Sequence, residues 1–150
     1  MRRGSIIVST VLTMAAGLGG GAAAQSLPQL RITAAQIAAL PSTTAPNGLR
    51  TTLILGDPTR PGPYTIAVLY PPHARVAPHT HRDNRTAIVI SGTWFFGYGA
   101  VADDAATRAV DAGGIYVESA TQPHYGHGGD QPALVYVSGF GPSDTVPVKP

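Results

Sequence analysis

The sequence predicts an all-β domain with one short N-terminal helix. From Gly48 onward, short runs of β-branched, aliphatic and aromatic residues follow one another, and glycines and prolines separate them. Many short strands at this spacing are typical of a β-sandwich or barrel, and 43% apolar residues supply enough side chains for a single core. The predicted strands are 49–55, 64–70, 86–90, 94–98, 115–117 and 133–138.

The helix is predicted by a capping box. Thr33 precedes Gln36 by three positions, an apolar stretch follows, and Pro41 ends the helix. We expect this helix to lie on the outside of the barrel. A second helical turn is predicted within 100–106, beginning beside Asp103 and covering one end of the barrel.

A tight turn is predicted between the third and fourth of these strands. Ser91 and Gly92 stand between two predicted strands, and glycine allows the positive φ of primed turns. We therefore expect a hairpin whose flanking strands pair.

The chain divides into a signal peptide at 1–24, an N-terminal segment with the helix at 25–47 and a β-barrel domain at 48–150.

The first residues have the features of an export signal. Arg2 and Arg3 form a positive start, an apolar run spans 6–18, and three alanines precede Gln25. The run is too short and too rich in glycine and alanine to span a bilayer, so we predict cleavage after Ala24. The expected product is periplasmic or secreted from a bacterial cell, by the general secretory or the twin-arginine route.

Charge and cysteine content exclude several functions. Of 10 Lys and Arg residues, Arg2 and Arg3 lie in the signal, which leaves eight against 8 Asp and Glu residues. The mature chain is formally neutral and has no basic stripe, so neither nucleic acid nor an anionic membrane is an expected partner. The absence of cysteine excludes a disulfide scaffold, thiolate ligands and a thiol nucleophile.

Three of the five histidines have the spacing of a metal site. His79 and His81 are two residues apart, so on a strand both side chains point to the same face. His124 follows after a predicted hairpin and a Gly-Gly turn, where an antiparallel barrel brings it opposite the pair. Three imidazoles from two strands hold one divalent metal and leave coordination positions open for water, dioxygen or substrate.

The order of these features resembles the two-motif arrangement of the cupin superfamily. The resemblance runs over residues 72–141 and includes the first-motif end 87–93, the second-motif start 113–117, the Pro-His pair 123–124 and the late segment 133–142. It is strongest to small exported bacterial cupins that have a similar Gly-Phe-Gly-Pro stretch near the end.

The resemblance implies a cupin-type double-stranded β-helix, which is a jelly-roll barrel. It implies one divalent metal ion on His79, His81 and His124, and the sequence does not distinguish Fe, Mn, Zn and Ni. It also implies a small-molecule ligand or substrate as partner and the pairing of two barrels into a homodimer.

Arg85 departs from the family pattern, in which a glutamate four residues after the second histidine is the fourth ligand. Arginine stays protonated, so it cannot ligate a cation. In one reading, Arg85 binds an anionic substrate group beside a three-histidine site. In a second, Asp83, His127 or His73 replaces the missing ligand. In a third, the site is a vacant apolar pocket. An ion pair of Arg85 with Asp83 or Glu118 on the barrel rim is the structural alternative.

Two further side chains are predicted to contact substrate. Gln122 lies two residues before His124, so on an extended segment it faces the same interior. Tyr98 shares one face of an aromatic strand with Trp94 and Phe96. Core packing is the expected role of these rings, and one or two of them floor the pocket.

The function predicted from the sequence is that of an exported, three-histidine metal-dependent enzyme. An oxygenase, an isomerase or a lyase acting on a small organic acid or carbonyl compound fits the expected site. The alternative is a non-catalytic module that binds a small molecule or a metal. Fold transfers between relatives more safely than function does.

Overall fold

The computed structural model describes residues 27–149 and confirms the all-β fold class with one short N-terminal helix. The signal peptide predicted at 1–24 lies outside the described residues. The elements are α1 (Ala34–Ala38), β1 (Ser42–Thr44), β2 (Arg50–Leu55), β3 (Gly62–Tyr70), β4 (Arg75–Thr80), β5 (Arg85–Ser91), β6 (Thr93–Tyr98), a 3-10 turn (Asp104–Ala106), β7 (Arg108–Asp111), β8 (Ile115–Glu118), β9 (His124–Gly128), β10 (Ala133–Gly141) and β11 (Val146–Pro147).

Two antiparallel sheets form the jelly-roll barrel. One has the order β1-β2-β3-β10-β5-β8, and the other has the order β11-β4-β9-β6-β7. β3 and β10 pair along their whole length, from Gly62 opposite Gly141 to Tyr70 opposite Ala133. Inward-facing residues alternate along the strands and close the core between the sheets. The core includes Val68, Ala87, Val89, Trp94, Val135 and Val137.

All six predicted strands are present, and each of them overlaps an observed strand, namely β2, β3, β5, β6, β8 or β10. β1 pairs with β2, so part of the N-terminal segment predicted at 25–47 belongs to the first sheet. β1, β4, β7, β9 and β11 are not among the predicted strands. β9 contains two glycines and two histidines among five residues, a composition that disfavours a strand in any local reading.

The hairpin predicted at Ser91 and Gly92 is wrong, because β5 and β6 lie in different sheets. β5 already pairs on both edges, with β10 and β8, and β6 pairs with β9 and β7, so neither strand has an edge for the other. Gly92 has φ +73°, and a Cβ there would lie 2.2 Å from the carbonyl oxygen of Pro132. The glycine therefore forms a tight corner at which the chain crosses between the sheets.

The predicted helix and its capping box are confirmed. The Thr33 hydroxyl accepts a hydrogen bond from the Gln36 backbone N–H at 3.3 Å, and the Gln36 side chain accepts one from the Thr33 backbone N–H at 2.8 Å. Ile37 of α1 faces Leu69 and Leu134 across a groove on the outer side of the first sheet, as expected. Among residues 27–149, no helix is long and apolar enough to cross a membrane.

Candidate metal centre

The second sheet brings the three histidines together. His79 of β4 and His124 of β9 are direct partners in the antiparallel register, and His81 follows immediately after β4. The ring of His79 lies 4.7 Å from that of His81 and 4.4 Å from that of His124, measured between centroids. One nitrogen from each ring lies within 4.8 Å of the other two, so the three imidazoles can hold one metal ion.

Backbone carbonyls fix the orientation of all three rings. His79 Nδ1 is 2.8 Å from the carbonyl oxygen of Ala77, and His124 Nδ1 is 3.0 Å from that of Gln122. His81 Nδ1 contacts the carbonyl oxygen of Asp144. A carbonyl oxygen only accepts, so each Nδ1 carries the proton and donates it. Each Nε2 therefore keeps the lone pair that a metal ion needs.

The surroundings keep two of the imidazoles neutral. Burial lowers the pKa of His79 below its ordinary value. Burial and the adjacent Arg85 guanidinium lower the pKa of His81 to about 4. Because a metal ion binds only the neutral imidazole, both rings are in the ligand-competent state at neutral pH without first losing a proton.

The histidines stand at the polar end of a cavity of about 340 Å³ between the sheets. A cavity of this size holds a small organic molecule. Arg85 and Glu118 complete the polar end. The remaining walls are mostly apolar and include Leu49, Ile66, Val68, Trp94, Phe96 and Val137. Trp94 and Phe96 are buried and also line the cavity, so both of their expected roles are present.

Arg85 points inward and forms an ion pair with Glu118. Arg85 Nε donates to Glu118 Oε2 at 2.6 Å, and Arg85 Nη2 lies 2.5 Å from the same oxygen. The Arg85 side chain is 12% exposed and that of Glu118 is 6% exposed, so the pair is inside the barrel and not on its rim. Arg85 Nη2 also contacts His81 Nε2.

Glu118 is the residue of this centre that the sequence analysis did not predict as part of it. The signal was present, because Glu118 is the single glutamate of the chain and directly follows the predicted strand 115–117. Side chains alternate on a strand, so Tyr116 and Glu118 share a face, and both are buried. A lone glutamate on the inward face of a strand is a candidate for the interior site.

The structure does not bring Asp83, His127 or His73 to the histidine cluster. Asp83 is buried and accepts a hydrogen bond from the Tyr64 hydroxyl at 2.7 Å. His127 stacks on Phe95 with ring centroids 4.7 Å apart, and its Nε2 lies 3.3 Å from the Thr107 hydroxyl. The side chain of His73 is exposed and stands 3.8 Å from Asp130.

Gln122 and Tyr98 also lie outside the cavity lining, unlike Arg85. Gln122 is exposed, and it contributes its backbone carbonyl to the ring of His124. Tyr98 is 60% exposed, and its hydroxyl donates to the Val117 carbonyl at 2.8 Å. The prediction that Gln122 faces the cavity together with His124 is therefore wrong. Gln122 lies before the start of β9, so the alternation of side chains along that strand does not extend to it.

The donor set fits a divalent metal ion. Metal–nitrogen bonds are about 2.1 Å long, so two ligands of one ion lie up to about 4.2 Å apart, which is close to the 4.8 Å within which the three ring nitrogens lie. His124 Nε2 is buried and has no hydrogen-bond partner among the described residues, which is the state expected of a ligand atom. The contact of Arg85 with His81 Nε2 has to open for that nitrogen to bind an ion.

No protein-family model and no curated protein matches the sequence. Among solved structures, the polyketide cyclase RemF from Streptomyces resistomycificus matches with a TM-score of 0.67 and 14% identity, over 82% of this chain and 87% of that chain. An RmlC-like cupin from Shewanella frigidimarina matches with a TM-score of 0.60 and 11% identity, over 77% and 94%. An oxalate oxidase in complex with the substrate analogue glycolate matches with a TM-score of 0.56 and 23% identity, over 73% and 59%.

Proposed function

We propose that this chain, which has the cupin fold, is a metal-dependent enzyme that binds one divalent ion on His79, His81 and His124. Its proposed substrate is a small organic acid or carbonyl compound. The observation that carries the proposal is the convergence of three oriented imidazoles at the polar end of a cavity large enough for such a molecule. Fe, Mn, Zn and Ni all accept this donor set.

Different groups of the site have different proposed roles. The three backbone carbonyls hold the rings with their Nε2 atoms toward the ion site. Arg85 forms the ion pair with Glu118 at the polar end of the cavity, and the apolar walls exclude water from the rest of the substrate. A bound divalent ion supplies Lewis-acid polarisation of a carbonyl or carboxyl oxygen, or dioxygen activation if it is iron.

The charge of the site supports an anionic substrate. Arg85 and Glu118 cancel each other, and the imidazoles are neutral ligands. The positive charge of a bound ion is therefore not cancelled by protein groups, which favours a carboxylate or an enolate-forming carbonyl group. Oxalate oxidase, one of the structural neighbours, was solved with glycolate, which is a small organic acid.

A non-catalytic binding module is the second candidate function. The observation that favours it is the contact between Arg85 Nη2 and His81 Nε2, because an arginine N–H that holds this lone pair competes with a metal ion. In that case the apolar cavity binds a small molecule without a metal. The two functions differ in whether purified protein contains a stoichiometric metal.

Elemental analysis of protein expressed with added Fe, Mn, Zn and Ni tests the proposal. We expect one metal ion per chain in the wild type and a loss of at least about 90% in His79→Ala and His124→Ala. His127→Ala is the matched control, because its imidazole stacks on Phe95 outside the cluster and its loss leaves the metal content unchanged.

A wild type without metal after metal-replete expression contradicts the enzyme proposal and supports the binding module. Equal metal content in wild type, His79→Ala and His124→Ala places the ion elsewhere. For protein that does contain metal, turnover is then measured with a panel of small 2-hydroxy and 2-oxo acids. The loss of turnover on chelation, and its return with one of the four metals, identifies the active ion.

We also propose that the protein is exported and that its signal peptide is cleaved after Ala24. The sequence features at 1–24 support this proposal. Intact mass measurement of protein from the periplasm and the medium of a bacterial host gives a mature chain that begins at Gln25. A full-length mass with the first Met retained contradicts cleavage.

Dimerisation remains a further proposal. Ile88 and Val117 are exposed on the outer face of the first sheet, and Ile115 lies beside Ile88 in the register of β5 and β8. β8 is also the edge strand of that sheet, so a second copy covers both an apolar patch and a free edge. Light scattering after size exclusion measures the mass, and we expect Ile115→Lys to shift a dimer to a monomer.

A further inference from the structure

The Glu118 carboxylate faces two of the three imidazoles. Its Oε2 lies 3.6 Å from His81 Nε2, and its Oε1 lies 3.9 Å from His124 Nε2. We propose that Glu118 is a fourth protein ligand of the ion, and that Arg85 is its ion-pair partner on the adjacent strand. This inference rests on the proposed function, because it requires the ion that the three histidines hold.

The distances allow one ion to contact all of these groups. Metal–oxygen and metal–nitrogen bonds are both about 2.1 Å long, so an oxygen and a nitrogen on one ion are separated by about 3.0 Å at a right angle and by at most about 4.2 Å. The two separations from Glu118 lie within these limits. The carboxylate therefore reaches an ion placed among the Nε2 atoms without a change of backbone.

The strand register explains how the carboxylate reaches this place. Arg85 of β5 and Glu118 of β8 are direct antiparallel partners, so their side chains leave neighbouring strands on the same face of the sheet. The glutamate that the cupin resemblance leads one to expect at position 85 is therefore exchanged for an arginine. A glutamate on the adjacent strand stands directly beside it.

The hydrogen bonds of Arg85 leave part of the carboxylate available. Both Arg85 nitrogens approach Oε2, so Oε1 is free of the guanidinium and faces His124. A carboxylate has about four lone-pair positions, so Oε2 can accept from Arg85 while the group binds an ion. The negative charge of Glu118 lies against both the guanidinium and the imidazole nitrogens, and it reduces the repulsion between Arg85 and a bound cation.

Titration of metal-free protein with Co²⁺ alone tests the proposal, with affinity and the visible absorption spectrum as readouts. We expect Glu118→Gln to weaken Co²⁺ binding by at least about 10-fold and to change the spectrum, because one oxygen ligand is lost. Asp83→Asn is the matched control. It makes the same change at a buried carboxylate that accepts from Tyr64 outside the cluster, and we expect affinity and spectrum within about twofold of the wild type.

A second variant keeps the test decisive if Glu118→Gln fails to fold. Glu118→Asp preserves the charge that Arg85 needs and withdraws the oxygens by one methylene, so a folded protein with at least about 10-fold weaker binding supports a ligand role. Wild-type affinity and spectrum in either folded variant overturn it, and so does an equal loss in Asp83→Asn. A wild type that binds no Co²⁺ contradicts the three-histidine site itself.

Discussion

Replacing Arg85 by methionine tests whether the buried ion pair governs both stability and metal binding. Methionine replaces the aliphatic part of the arginine side chain with an unbranched apolar one, and it removes the charge and all donors to Glu118. The carboxylate then stays inside the barrel, because it lies on the inward face of β8 and its side chain is 6% exposed. The change therefore leaves a buried negative charge without its partner.

The expected loss is large because both partners are buried. Removing one partner of a buried ion pair costs about 3–5 kcal/mol, whereas an exposed pair contributes about 1 kcal/mol or less. For a domain of this size, unfolding entropy makes 1 kcal/mol equal to roughly 4 °C in the melting temperature, so the metal-free variant melts roughly 12–20 °C below the wild type. Arg75→Met is the control, since Arg75 and Asp104 form an exposed pair with side chains 65% and 54% exposed.

Thermal unfolding with and without Co²⁺ measures both parts of the prediction. In Arg85→Met, Co²⁺ becomes the positive partner of Glu118, and His81 Nε2 is free of the guanidinium. At one fixed Co²⁺ concentration the variant therefore regains more stability than the wild type gains. Two results refute this reasoning: a metal-free Arg85→Met as stable as Arg75→Met, or equal stabilisation of Arg85→Met and wild type by Co²⁺.

Three further substitutions have expected outcomes. Trp94→Ala removes a buried ring stacked on Tyr70 at 3.8 Å and lowers the free energy of unfolding in urea by about 3–5 kcal/mol; a loss under 1 kcal/mol contradicts this. Gly126→Ala places a Cβ 2.6 Å from Trp94 Cζ2 and 2.7 Å from a backbone oxygen, so urea unfolding shows a loss of at least about 1–3 kcal/mol, and wild-type stability contradicts the close packing. Asp144→Ala removes the carboxylate that accepts from Arg82 at 2.8 and 2.9 Å and so loosens the carbonyl that orients His81; Co²⁺ affinity falls about 10-fold, and an unchanged affinity refutes this role.

The parts of the fold that local chemistry specifies were predictable from the sequence. The capping box of Thr33 and Gln36 lies within one helical turn, and its two hydrogen bonds need no other part of the chain. The six predicted strands follow from composition and from breakers on either side. The pairing of His79 with His81 on one face is likewise a local property of extended backbone.

The pairing of strands was not predictable in the same way. Gly92 has the positive φ that a hairpin needs, yet the same φ also serves a corner between sheets. The choice between them depends on which strands occupy the edges of β5, and those strands are β8 and β10, later in the chain. A local pattern contains no information about that competition.

The role of Glu118 depended on the same non-local information. Its partner Arg85 lies 33 residues earlier, and nothing in either local segment indicates that β5 and β8 are neighbours. Glu118 is one of two ion-pair partners that the sequence predicts for Arg85, but the predicted place of that pair is the barrel rim. In the structure, Glu118 lies with Tyr116 on the inward face of β8, and the ion pair with Arg85 therefore lines the cavity.

The pairing of β3 with β10 has a consequence for folding during synthesis. Gly62 of β3 pairs with Gly141 of β10, and the two strands are neighbours in the middle of the first sheet. This sheet therefore cannot be completed until synthesis has passed the end of β10. Contacts between such distant segments are slow to form, because a long loop has to close first. A chain still emerging from the ribosome therefore has exposed strand edges on β3 until β10 has been made and has paired with it.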